Sequence, residues 1–153
     1  MIETFTVALF GHRHLEESLV LYNKLKPIIK NLIKEKEYVE FLIGNNGDFD
    51  ILAASCIKRA MKEYSYGNCA LVLVLANKKK NIEDLQTYYD EIEICEDALN
   101  AHYKNSITVR NRAMINRADL VIVYQKGTCG GAFSAVNYAK TKNKEIINLC
   151  DID

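Results

Sequence analysis

A chain of 153 residues that is 49% hydrophobic and 26% charged is long enough to bury a core of its own, and one domain over residues 1–153 is expected. Its 20 basic and 20 acidic residues cancel, so neither nucleic acid nor an anionic membrane is expected as the main partner, although a local basic pocket stays allowed. No apolar run approaches transmembrane length and no signal-peptide pattern opens the chain, which predicts a cytoplasmic protein with no membrane partner.

Phe5 to Phe10 reads as the first strand and runs into Gly11-His12-Arg13-His14. Glycine at the carboxyl end of a first parallel strand is where doubly wound folds bind ligands. His12 and Arg13 then project into the crevice, where the planar fork of Arg13 suits a phosphate or carboxylate. A surface salt bridge is the alternative for Arg13, and a helix cap or plain exposure for His12 and His14. Leu15 to about Lys36 has helical spacing, and Pro27 should kink or split that helix.

Tyr38 to Ile43 is a second strand. The turn after it, Gly44-Asn45-Asn46-Gly47-Asp48, is rich in residues that tolerate positive φ. A helix follows from about Phe49 to Tyr64. Asp48 or Asp50 either caps it or contacts a ribose or base. Ala70 to Ala76 is apolar throughout, as expected of a central strand. Asn77 to Asn81 carries three lysines and reads as an exposed loop. Ile82 to about Tyr89 is a weak helix, Glu91 to Ile94 a short strand, and Glu96 to Tyr103 irregular. Ser106 or Thr108 is placed to cap the helix containing Arg110 and Met114.

Ala118-Asp119 ends that helix and begins the strand Leu120 to Tyr124. The loop Lys126-Gly127-Thr128-Cys129-Gly130-Gly131 leads into a last helix that ends near Asn143, before the strand Glu145 to Leu149. A strand feeding a glycine loop and a helix N-terminus is a common anion-binding design, because backbone N–H groups and the helix dipole face the anion. A tight corner needing glycine for its turn is the alternative. The five cysteines, Cys56, Cys69, Cys95, Cys129 and Cys150, are widely spaced without a CxxC pair, which predicts reduced thiols and no metal site. Alternating strands and helices predict an α/β fold, a three-layer sandwich with a mainly parallel sheet. The turns at Gly11, Gly44 to Gly47 and Gly127 to Gly131 then share one sheet edge.

GHR after the first strand, GxxGxFD before the second helix, YDEI, RNxxM…ADLVI and GGA…YAK…IINL together resemble the YpsA-type branch of the SLOG superfamily. These are Rossmann-like proteins related to DprA and to the Lonely-guy phosphoribohydrolases. The resemblance implies a nucleotide or nucleotide-derived ligand of the ADP-ribose or NAD class, held by a sensor or binding protein, with no cofactor required. It also implies a homodimer or higher homo-oligomer, for which exposed tyrosines at Tyr88 and Tyr89 give thin support. Arg110 matches the arginine of the relatives' RKxxM motif, with Asn111 in place of the lysine. In their PGGxGTxxE loop, Ser134 stands where the glutamate cleaves the ribosyl bond, and a serine neither accepts a proton at pH 7 nor supplies charge. Binding is therefore expected over hydrolysis. The alternatives are an N-glycosidase using Asp48, Asp50 or Glu91, or a regulatory partner protein with a degenerate pocket. The catalytic residues, if any, are not identified. The expected ligand-binding set is Gly11, His12, Arg13, Gly44, Gly47, Asp48, Asp50, Arg110, Asn111, Gly127, Thr128, Gly130, Gly131 and Ser134.

Overall fold

Six strands pair in parallel throughout in a computed structural model that describes residues 2–153. They are β1 (Thr4–Gly11), β2 (Tyr38–Ile43), β3 (Cys69–Leu75), β4 (Glu91–Ile94), β5 (Leu120–Tyr124) and β6 (Glu145–Asn148), in the order β4-β3-β2-β1-β5-β6. The helices are α1 (Ser18–Glu35), α2 (Asp48–Tyr64), α3 (Ile82–Tyr88), α4 (Glu96–Asn100), α5 (Ser106–Arg117) and α6 (Gly131–Thr141). The α/β reading holds, and the sheet is wholly parallel.

Side chains alternate faces along a strand, so each central strand feeds two cores. On one face Val7, Leu9, Phe41, Ile43, Leu71 and Ile122 pack with Leu25 and Ile29 of α1 and Phe49 and Ile57 of α2. On the other, Ala8, Phe10, Leu42, Val72, Val121 and Val123 pack with Met114 of α5 and Val136 of α6. Double coverage is why these strands read as continuous apolar runs. β1 and β5 are neighbours, although the chain leaves β1 in one direction across the sheet and returns on the other side. Their carboxyl ends therefore mark the topological switch point, where a crevice opens.

Pro27 does not split its helix: α1 is continuous from Ser18 to Glu35. Leu25 and Ile29, on either side of Pro27, are fully buried, and their packing outweighs one missing backbone bond. The segment read as irregular contains α4, whose Ala98 is buried. Ser106 is not a side-chain cap. Its hydroxyl donates to the Tyr103 carbonyl at 3.0 Å, and Asn105 occupies the cap position. Asp119 instead ties β5 to β1, its carboxylate accepting from the Thr6 N–H at 2.8 Å. Tyr89 packs on the first core, and the Lys58 ammonium lies 3.8 Å from the centre of the Tyr88 ring.

Candidate functional site

The crevice at the switch point has a volume of about 380 Å³. β1 supplies Phe10 and Gly11 to it, and the following turn His12 and Arg13. The β2–α2 turn gives Asn46 and Gly47, α2 gives Asp50, α5 gives Ile107, Arg110 and Asn111, and the start of α6 gives Gly130, Gly131 and Ala132.

Close approach requires glycine at three places, and at Gly11 a Cβ would run into the fully buried Phe49 side chain. A Cβ on Gly47 would stand 2.5 Å from the Arg13 Cα, which is backbone and cannot rotate away. That contact lets the Asp48 N–H donate to the Arg13 carbonyl at 2.8 Å and the Phe49 N–H to the His12 carbonyl at 3.3 Å. A Cβ on Gly44 would stand 2.6 Å from Nη1 of Arg110, so this glycine makes room for a guanidinium rather than touching a ligand.

Arg110 is only 4% exposed, yet it forms no ion pair among the described residues, where both ion pairs belong to Arg117. Its Nη1 donates to Asn46 Oδ1 at 2.6 Å and to the Val74 carbonyl at 3.4 Å. Its Nη2 and Nε donate to Asn111 Oδ1 at 2.7 Å and 3.2 Å. Side-chain amide oxygens of Asn46 and Asn111 and the Val74 carbonyl hold the fork. Burial lowers the guanidinium pKa, opposed by the charge of Asp50.

Asp50 Oδ2 accepts from the Asn46 N–H at 2.8 Å, which fixes the turn that carries Asn46. Burial raises the Asp50 pKa, and the Asn46 N–H and the Arg110 charge only partly offset it. A carboxyl whose folded pKa is raised binds more protons in the native than in the unfolded state between the two pKa values. Stability therefore falls as pH rises through that window. Asp50→Asn removes this cost. It is expected to be more stable than the parent at neutral pH, and urea unfolding at falling pH should show the gap narrowing through the folded pKa of Asp50.

The glycine loop docks on β1 through His12, whose Nε2 accepts from the Lys126 N–H at 2.8 Å. The His12 ring meets Tyr124 edge-on at 5.5 Å. Gly127 and Gly130 have φ of 83° and 98°, a conformation that disfavours other residues. Gly131 has ordinary φ, and no heavy atom lies within 4 Å of where its Cβ would stand, so a side chain fits there sterically.

Of the expected set, Gly11, His12, Arg13, Gly47, Asp50, Arg110, Asn111, Gly130 and Gly131 meet at the crevice. The others do not line it. Gly44 backs Arg110. Asp48 begins α2 without capping it, its Oδ2 accepting from the Leu15 N–H at 3.1 Å. Gly127 and Thr128 lie in the exposed loop, and Ser134, with Arg112 and Tyr138, lines an adjoining hollow that shares Ile107, Asn111 and Gly131 with the crevice. Glu91 opens β4, at the far edge of the sheet. Phe10, Asn46, Ile107 and Ala132 were not foreseen. Asn46 had a signal, since it sits in the Gly44 to Gly47 turn, whereas Ile107 had none because it reads as part of a helix stripe. Among the described residues, no group of three His, Cys, Asp or Glu is placed to hold a metal ion, and no helix is long and apolar enough to cross a membrane.

No protein-family model matches the chain, and a comparison with curated proteins returns no match. Solved structures do share the fold. DNA processing protein A from Helicobacter pylori, described with a single-stranded DNA binding mode, superposes with a TM-score of 0.63 at 17% identity, over 93% of this chain and 63% of its own. DNA processing protein A (DprA) from Streptococcus pneumoniae superposes with a TM-score of 0.64 at 14% identity, over 93% of this chain and 49% of its own. The chain thus spans 63% and 49% of the lengths of these two proteins. At such identities the likeness establishes the Rossmann-like fold shared with DprA, not the YpsA-type branch.

Two expectations are corrected by this neighbourhood. The expected partner was a small nucleotide-like ligand and nucleic acid was set aside, whereas the Helicobacter pylori protein with this fold binds single-stranded DNA. The small ligand was carried over from the resemblance, while nucleic acid was set aside on a net charge of zero, which averages over the whole surface. It carries no information about how the charges are distributed.

Proposed function

We propose that the crevice and the loops around it bind single-stranded nucleic acid, with a backbone phosphate between Arg13 and the N-terminus of α6. The observation that carries this reading is the grouping of cations in the rim loops. The loops 12–17, 44–47, 76–81, 101–105 and 125–130 lie at the carboxyl edge of the sheet. They hold Arg13, Lys78, Lys79, Lys80, Lys104 and Lys126 together with Glu16 and Glu17, and the first turns of α2, α3 and α4 bring the exposed Asp48, Glu83, Asp84, Glu96 and Asp97 to the same edge. All six cations are exposed. Local groups of cations, Lys78 to Lys80 in one loop and Arg13 at the crevice, attract a polyphosphate backbone without reading sequence. Tyr103, 75% exposed beside Lys104, adds an aromatic face of the kind on which an unpaired base stacks.

Within the crevice, Gly11, His12, Arg13, Gly47, Asp50, Arg110, Asn111, Gly130 and Gly131 form the contact set of this proposal. Arg110 fixes Asn46 and Asn111, and Arg13 meets the strand. The resemblance to the YpsA-type branch belongs to the same proposal, because its GHR and RN motifs fall at Gly11 to Arg13 and at Arg110 and Asn111. A cytoplasmic location is part of it too, in keeping with five unpaired cysteines.

Gly131→Val gives the clean test. The backbone accepts valine there and open space receives it, so the protein should fold with its melting temperature within a few degrees of the parent. The new side chain stands where phosphate approaches. Fluorescence anisotropy with a labelled single-stranded oligonucleotide should show affinity reduced by about tenfold or more, the loss of charge-assisted bonding worth at least ~1.5 kcal/mol. Equal affinity of the two proteins would remove the crevice from the binding site.

A further inference from the structure

A second cationic surface lies away from the crevice, on the outer side of α1 and α2. Lys26, Lys30 and Lys34 follow one another at i, i+4 along α1. Residues at that spacing share a helix face and are about 6 Å apart along the axis. None of the three has a carboxylate at i±3 or i±4 within the helix. Arg59 and Lys62 of α2, both exposed, stand across the groove, whose volume is about 490 Å³. None of these five cations forms an ion pair among the described residues. Like charges at i, i+4 cost a helix stability. A run of three, uncompensated in a chain with as many acids as bases, is a segregated charge that the fold itself does not need.

Aromatic rings lie between the cations. The Lys30 and Lys34 ammonium groups sit 5.0 Å and 5.3 Å from the centre of the Tyr64 ring, and the Arg59 guanidinium lies 5.8 Å from that of Tyr22. Glu63 is the one carboxylate lining the groove. Cations in a row at about 6 Å match the step between successive phosphates of an extended strand. The cations lie over the Tyr22 and Tyr64 rings, which themselves pack on the first core, so the face holds a backbone by charge and leaves the bases free.

We infer that the α1–α2 face is a second binding track for the backbone of single-stranded nucleic acid, separate from the crevice and formed by Lys26, Lys30, Lys34, Arg59 and Lys62. The inference stands on residues outside the crevice, so it does not fail if the crevice reading fails. A strand of about 30 nucleotides is long enough to engage both surfaces, whereas one of about six is not, given an extended length of several ångströms per nucleotide.

The test replaces Lys26, Lys30 and Lys34 by glutamate, alone and combined with Arg13→Ala, and measures anisotropy of labelled oligo(dT) of about 30 and about six nucleotides over a salt series. The triple variant should weaken the long strand by about tenfold or more and reduce the magnitude of its salt slope by about 2, three contacts at about 0.7 each. The decrease should persist in the Arg13→Ala background, which isolates it from the crevice. Lys30→Glu alone should melt no lower than the parent, because it replaces two repulsive i, i+4 pairs by attractive ones. An unchanged affinity and slope in the triple variant would overturn the inference. So would equal retention of a polyglutamate peptide of matched charge, which would assign the face to acidic protein.

Discussion

Arg110→Ala is expected to lower both stability and nucleic-acid affinity. The guanidinium is the donor for Asn46 Oδ1, Asn111 Oδ1 and the Val74 carbonyl, and its positive charge acts on the half-buried Asp50. Its removal leaves these acceptors short of a donor and Asp50 without its cation. Each buried unsatisfied group costs about 1–3 kcal/mol, and water entering from the crevice relieves part of that sum. A net loss of about 2–3 kcal/mol is expected, at the lower end for a buried charge because no direct ion pair is broken. For a chain of this size the melting temperature falls by about 5–10 °C. Affinity for a single strand falls as well, since Asn46 and Asn111 lose the fork that orients them. Arg112→Ala is the control, because Arg112 is exposed and only lies over the Tyr138 ring at 5.1 Å. Melting curves of both variants check the result, and equal stability would show that Arg110 is not the hub described.

Gly47→Ala is expected to act on the fold and the site together. The added methyl meets the Arg13 Cα at 2.5 Å, so one backbone segment must move. Gly47 has φ of 179°, which any residue adopts, so the cost is steric rather than conformational. Overpacking of this kind costs about 1–3 kcal/mol. Displacement of the 12–14 turn also strains the bonds from the Asp48 and Phe49 N–H groups to the Arg13 and His12 carbonyls, and it moves Arg13 away from the crevice. Binding should therefore fall by more than the loss of stability alone produces at saturating folded protein. Denaturant unfolding and oligonucleotide affinity measured on the same samples separate the two effects.

The α/β fold was legible in the sequence because both faces of the sheet are covered. β3 and β5 are apolar at every position, and strands alternate with helices along the chain. The convergence of Gly11, Gly47 and Gly130 on one edge was legible for the same reason, since parallel strands put their carboxyl ends together. What glycine does at each turn was not legible. Gly44 and Gly47 look alike in sequence, yet one faces a guanidinium and the other a backbone Cα. Pro27 misled because local propensity does not report the burial of Leu25 and Ile29 around it. Nucleic acid could not be set aside from the sequence, because a net charge of zero does not report where the charges lie.

Single-strand binding is tested most directly by titrating the protein with a labelled single strand of about 20 nucleotides and with its duplex, at two salt concentrations. The single strand should bind more tightly than the duplex and weaken markedly with salt, with a slope of about −0.7 per phosphate contact. The duplex should bind more poorly because its bases are paired and cannot stack on Tyr103. Failure of the single strand to bind at low salt, or equal affinity for strand and duplex, would contradict the proposed function.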